Sequence, residues 1–120
     1  MTRDEAENGA GQSDAQAPGP AHNSFTLQGA LIERDALRHT PAGMPVLRGC
    51  LQHLSQQIEN GMPREVRLEL DFVMLGDQAR LLAVAPLGTA LIAQGFMAAR
   101  SAKSRQAVMH INSIEFVTGG

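Results

Sequence analysis

Arg100, Lys103 and Arg105 fall within the six-residue stretch Arg-Ser-Ala-Lys-Ser-Arg. Three cations spaced by small side chains suit one task above others: neutralising successive phosphates of a nucleic-acid backbone and releasing their counterions. Ser101, Ala102 and Ser104 leave room for a polymer to lie across the charges. A solvated hairpin tip has the same composition, so the cluster alone does not decide between the two. Arg34 and Arg38 flank the loop after the first apolar stretch and extend the same positive surface, although Glu33 and Asp35 offer Arg34 ion pairs. Arg64 and Arg67 open a later strand, where a guanidinium plane can stack on a base; Glu65 and Glu69 dilute that charge.

No catalytic constellation competes with this reading. His22, His39, His53 and His110 lack metal-ligand spacing, and Cys50, the single cysteine, cannot complete a zinc site with them by any local motif. There is no Gly-rich phosphate loop, no nucleophile elbow and no visible triad. The expectation is a non-enzymatic protein without metal or cofactor. His53 and His110 read as structural or interfacial. Phe25, Phe72 and Phe96 fall on the apolar parity of their strands and read as core, and Phe116 reads similarly.

The elements that must carry these residues are mostly strands. "SFTLQGALIER" (24–34) alternates, with Gly29 in mid-strand; glycine there marks a sharp bend or a close backbone approach. "HTPAGMP" (39–45) is a turn. A second strand starts near Val46, and its alternation breaks around Arg48–Gly49–Cys50, which suggests a bulge on that strand. "ENGMP" (59–63) is a loop carrying an Asn-Gly pair. "REVRLELDFVML" (64–75) alternates cleanly. "ARLLAVAPL" (79–87) reads equally as short helix or strand, with Pro86 ending it. "TALIAQGFMAAR" (89–100) and "AVMHINSIEFV" (107–117) complete the set, joined by the basic turn.

Residues 1–21 are a different material. They contain no Leu, Ile, Val or Phe and carry one Arg against four acids, net −3. Such a segment cannot bury enough apolar surface to offset its ordering entropy. Residues 22–120 carry nine basic and eight acidic side chains, net +1, so phosphate binding must come from local clustering. With a lone cysteine and no apolar run long enough for a membrane span, the chain reads as cytoplasmic and not membrane-bound. The expected fold is all-β: a five-stranded OB-fold barrel over residues 22–120, with a disordered acidic N-terminal tail over 1–21. The acidic tail is expected to compete with phosphates for the basic loop.

The order and spacing of several segments resemble the primosomal replication protein N (PriB) family, short relatives of the bacterial single-stranded DNA-binding proteins. The similarity rests on "NSFTLQGALIERDALRHTPAGMPVLRGCLQH", "LIAQGFMAARSAKSR" and "VMHINSIEF", within residues 23–117. The resemblance implies a homodimer of OB-folds that binds single-stranded DNA. It also implies partnership with the primosomal helicase PriA and other primosome proteins. Family contacts to DNA would fall on the 100–106 loop, on the 56–67 segment and near Arg38. This chain departs from the family in having no aromatic residue over 56–67, and Gln106 where a lysine is expected. Two functions follow: a DNA-binding restart accessory using Arg34, Arg38, Arg64, Arg67, Arg100, Lys103 and Arg105, or a protein-binding OB adaptor with weak or no DNA affinity. Leu54, Ile58, Val73 and Leu81 or Leu82 exceed what one small core needs and are candidates for a dimer interface.

Overall fold

The computed structural model describes residues 17–118. The expected disorder of the tail therefore falls, over residues 1–16, outside the described residues. The chain forms β1 (Phe25–Arg34), β2 (Arg38–His39), β3 (Pro45–Glu59), β4 (Met62–Leu75), α1 (Gln78–Ala83), β5 (Ala90–Ala99) and β6 (Ala107–Phe116). The strands hydrogen-bond in the order β1-β5-β6-β4-β3, and β1 also pairs with β3, so five strands close on themselves. All ladders are antiparallel except β4–β6. A closed five-stranded barrel with this order, and a helix between its third and fourth strands, is the OB-fold. The two-residue β2 is an extra piece on the edge of β3.

Closure depends on strands coming unusually close. A Cβ on Gly29 would lie 2.7 Å from the Gln52 carbonyl oxygen, and one on Gly95 would lie 1.9 Å from that of His110. Both mid-strand glycines thus mark backbone crossings. Gly95 sits where the β5–β6 register slips, from Gln94 opposite Ser113 to Gly95 opposite Ile111. Asn112 is the surplus residue of that bulge, and the coil it adds lets the sheet curl. The bulge expected near Arg48 lies across the ladder instead. The β3–β4 pairing runs unbroken through Arg48–Cys50, whereas β1 slips between Leu31 and Glu33 opposite Leu51 and Cys50. A ladder break needs an extra residue on only one strand, and the sequence alternation of one strand does not say which.

Inside the barrel Leu31, Leu47, Leu51, Phe72, Met74, Leu82, Leu91 and Met109 are fully buried. Each such side chain contributes about 1.5–3 kcal/mol. The ambiguous 79–87 segment is helical at its start. Ala79 and Leu82, three apart, are both fully buried and cap the core, while Leu81 is exposed. Leu82 and Val73 (5% exposed) are thus used within this chain and are not free for an interface, whereas Leu54, Ile58 and Leu81 are exposed.

The outer halves of β3 and β4 leave the barrel as a two-stranded ribbon, paired residue by residue from His53–Leu68 to Glu59–Met62. Asn60 (φ 52°) and Gly61 (φ 78°) make its turn; two residues with positive φ form the type I′ hairpin that matches strand twist. The His53 ring fastens the ribbon's base. Nδ1–H donates to the Gln28 carbonyl (2.7 Å) and Nε2 accepts from the Ser55 hydroxyl (2.7 Å).

Gly95→Ala is expected to lower stability by about 3 kcal/mol, at the upper end of overpacking costs. That corresponds to roughly 12–24 °C in Tm by thermal unfolding. An unchanged Tm would mean the strands do not approach as described.

Candidate nucleic-acid interface

The register assigns faces. Leu47, Leu51, Phe72 and Met74 point inward, so Arg48, Cys50, Gln52 and Leu54 of β3, and Arg67, Glu69, Asp71 and Val73 of β4, share the outer face. In OB-folds that face, flanked by the loop after the first barrel strand and the loop before the last, takes oligonucleotides. Here those loops are 35–44 and 100–106.

Arg38 lies in β2 opposite Val46, which places it diagonally beside Arg48 on the outer face. The 35–44 loop is closed by Thr40: its amide donates to the Met44 carbonyl (2.9 Å) and its carbonyl accepts from the Gly43 amide (2.8 Å). Arg100 sits at the neck of the basic loop. Its amide donates to the Gln106 carbonyl (2.8 Å), its Nε–H donates to Gln106 Oε1 (3.1 Å), and its guanidinium pairs with Asp71 of β4. Gln106, at the position where a lysine is expected, thus braces the loop. Lys103 and Arg105 project beyond that neck, exposed and with no ion-pair partner among the described residues.

The remaining expected residues do not converge with these. Arg34 points away from the outer face and its guanidinium donates to the Ala85 carbonyl, tying β1 to the segment after α1. Arg64 and Arg67 fall on opposite faces of the ribbon, since Arg64 opposes Gln57 and Arg67 opposes Leu54. Arg64 pairs with Glu59 (2.8 Å) and Arg67 with Glu65 (3.0 Å). Those pairs are well exposed, worth about 0–1 kcal/mol, and open easily. Only Arg67 shares a face with the basic loop.

Two features escaped the sequence reading. Arg48 stands on the outer face and, with Arg100, Glu33, Asp35 and Asp71, lines a cleft of about 180 Å³. Its parity relative to Leu47 was the available signal. Phe96 is not core: it is 37% exposed and stacks on His110, with ring centroids 5.0 Å apart and planes within 9°. Phe25 and Phe116 are also partly exposed, leaving Phe72 as the buried phenylalanine.

A family model described as "Another single-strand binding protein family" matches residues 23–113. The replication restart protein PriB of Bordetella pertussis is 41% identical over 97 residues, covering 81% of this chain and 91% of that protein. The chain belongs to the PriB family. The structure of PriB from Ralstonia solanacearum superposes on this PriB-family fold with a TM-score of 0.71 at 32% identity, covering 80% of this chain and 98% of that one. A single-stranded DNA binding protein from Thermus aquaticus shares the fold, with a TM-score of 0.66 at 24% identity, over 82% of this chain and 51% of that one.

Among the described residues no cluster of three or more potential ligands stands ready for a metal ion, and no helix is long and apolar enough to cross a membrane. Cys50 lies under the outer face, 6% exposed. Burial pushes its thiol above the ordinary range, and the carboxylates of Asp71, Glu33 and Glu69 push the same way. At pH 8 it is accordingly expected to react with a disulfide reagent at least about tenfold more slowly than in the urea-unfolded chain. Equal rates would show that this part of the sheet opens freely.

Proposed function

We propose that this PriB-family chain binds single-stranded DNA as a non-catalytic accessory of the replication restart primosome. We propose further that it bridges the strand to the PriA helicase and other primosome proteins. One observation carries the DNA reading: Lys103 and Arg105, with no ion-pair partner among the described residues, stand above a loop neck braced by Arg100, beside an outer face that also presents Arg38 and Arg48. The name of its relative, a replication restart protein, and the single-strand binding family whose model it matches support the same function. The braced neck fixes the backbone of the loop that carries the two cations, which lowers the ordering cost of gripping phosphates. Such a protein works in the cytoplasm, where no disulfide is needed and the reduced Cys50 persists. Residues 22–120 act as the binding domain and 1–21 as an acidic appendage.

The protein acts as a homodimer in this reading. Phe25–Gly29 of β1 pairs in the ladder only with β5, because the β1–β3 pairing begins at Ala30. A half-paired strand beside exposed Leu54 and Ile58 is a surface that a second copy can complete. Contact with the helicase is supported by apolar side chains of the α1 segment, Leu81, Val84 and Leu87, all more than half exposed. The adaptor reading draws on the same patch and on the paired arginines of the ribbon; it predicts helicase binding without DNA affinity.

Anisotropy of a labelled single-stranded oligonucleotide across a salt series tests this. The unaltered protein is expected to bind with an affinity that falls steeply as salt rises. Lys103→Ala with Arg105→Ala is expected to reduce the slope of log affinity against log salt by about 1.4, from about 0.7 per lost phosphate contact on a single strand. PriA binding should survive the double change. An unaltered slope would remove the loop from the interface, and undetectable binding by the unaltered protein at low salt would leave the adaptor.

A further inference from the structure

Across the outer face one lateral row runs Phe96, His110, Val73, Arg48, each opposite the next in adjoining ladders of β5, β6, β4 and β3. Between His110 at one side and Arg48 and Arg100 at the other lies a pocket of about 310 Å³, floored by Val73 and Val108. Val73 and Val108 are 5% and 6% exposed. The floor is apolar, one wall is a flat imidazole already stacked on a phenyl ring, and two guanidinium groups stand opposite. Phosphate binding alone needs no apolar floor and no aromatic wall. A planar, uncharged heteroaromatic group attached to a phosphate chain uses all three.

We propose that this pocket seats a nucleobase of the bound single strand, stacked on the His110 face of the Phe96–His110 pair, with Arg48 and Arg100 over the adjoining phosphates. The inference rests on the single-stranded DNA reading above and adds a stacking site to it. The absence of aromatics over 56–67 is then offset from β5 and β6: the stacking surface has moved to the other side of the same sheet face. The guanidinium of Arg100 is held by Asp71, so the wall opposite His110 is fixed before the base arrives. Stacking of this kind tolerates any base, because each presents a π-face.

The test compares oligo-dT with an abasic strand of the same length. The unaltered protein is expected to prefer oligo-dT. His110→Val, which keeps a strand-forming residue, is expected to weaken oligo-dT binding by about tenfold while leaving abasic binding and the salt slope unchanged. Phe96→Trp places the chain's sole indole in the row, and its emission is expected to be quenched by oligo-dT and not by the abasic strand. If His110→Val keeps the full oligo-dT preference, or the indole emission is unmoved at saturation, the stacking site is overturned while DNA binding stands. If the unaltered protein binds neither strand, both the site and the DNA reading fail.

Discussion

Closure of the sheet through β1 is the constraint on which the rest depends. One strand serves two partners, β5 along its first half and β3 along its second, and this joins the ends of the sheet into a ring. Backbones come close at Gly29 and Gly49 across the β1–β3 seam, and at Gly95 between β5 and β6, and the ring closes through these approaches. It also decides which side of every strand is core. Once Leu31, Leu47, Leu51, Leu91 and Met109 are committed inward, Arg48, Val73, Phe96 and His110 must face out, in a row. The candidate interface is therefore the remainder of the packing problem.

Charge is distributed with the same economy. With a net of +1 over residues 22–120, most arginines are occupied locally: Arg34 by a carbonyl, Arg64 and Arg67 by neighbouring glutamates, Arg100 by Asp71. What remains unpaired among the described ion pairs, Arg38, Arg48, Lys103 and Arg105, borders one face. Glu33, Asp35, Glu69 and Asp71 lie on or beside the same face, so the positive charge is concentrated at the 100–106 loop and not spread over the sheet. This distribution also implies modest affinity, since few phosphates are neutralised.

Much of the architecture was legible from local signals. The Asn60–Gly61 turn, the alternation of β4 and the glycines in β1 and β5 each state a geometry that one segment can specify alone. The barrel followed from their order. What was not legible depends on residues far apart in the chain. Phe96 looked like core because its strand hides Ala93 and Gly95 inward and carries Ile92 and Phe96 on the other side. Its parity is that of Ile92 and the exposed Gln94, opposite to the inward Leu91 and Ala93, and that parity rather than size marks the outside. The bulge was placed on β3 rather than β1 because a slip is shared by two strands, and only the pairing shows which holds the surplus residue. Leu82 reads as surplus because its place in the helical cap over the core is set by distant strands, and Val73 because its neighbours Arg48 and His110 belong to other strands. Arg48 lies beside that break in the alternation, and only its parity with the inward Leu47 marks it as outward-facing.

In the proposed function one face of this closed barrel, the one bearing Arg48, Val73, His110 and the 100–106 loop, meets the DNA strand. Backbone amide NMR during titration with a single-stranded oligonucleotide tests it most directly. Shift changes are expected to concentrate at 38, 48, 73, 96, 100–106 and 110, with Arg34 and α1 unmoved. Changes centred on α1, or on the ribbon turn at Asn60–Gly61, would contradict it.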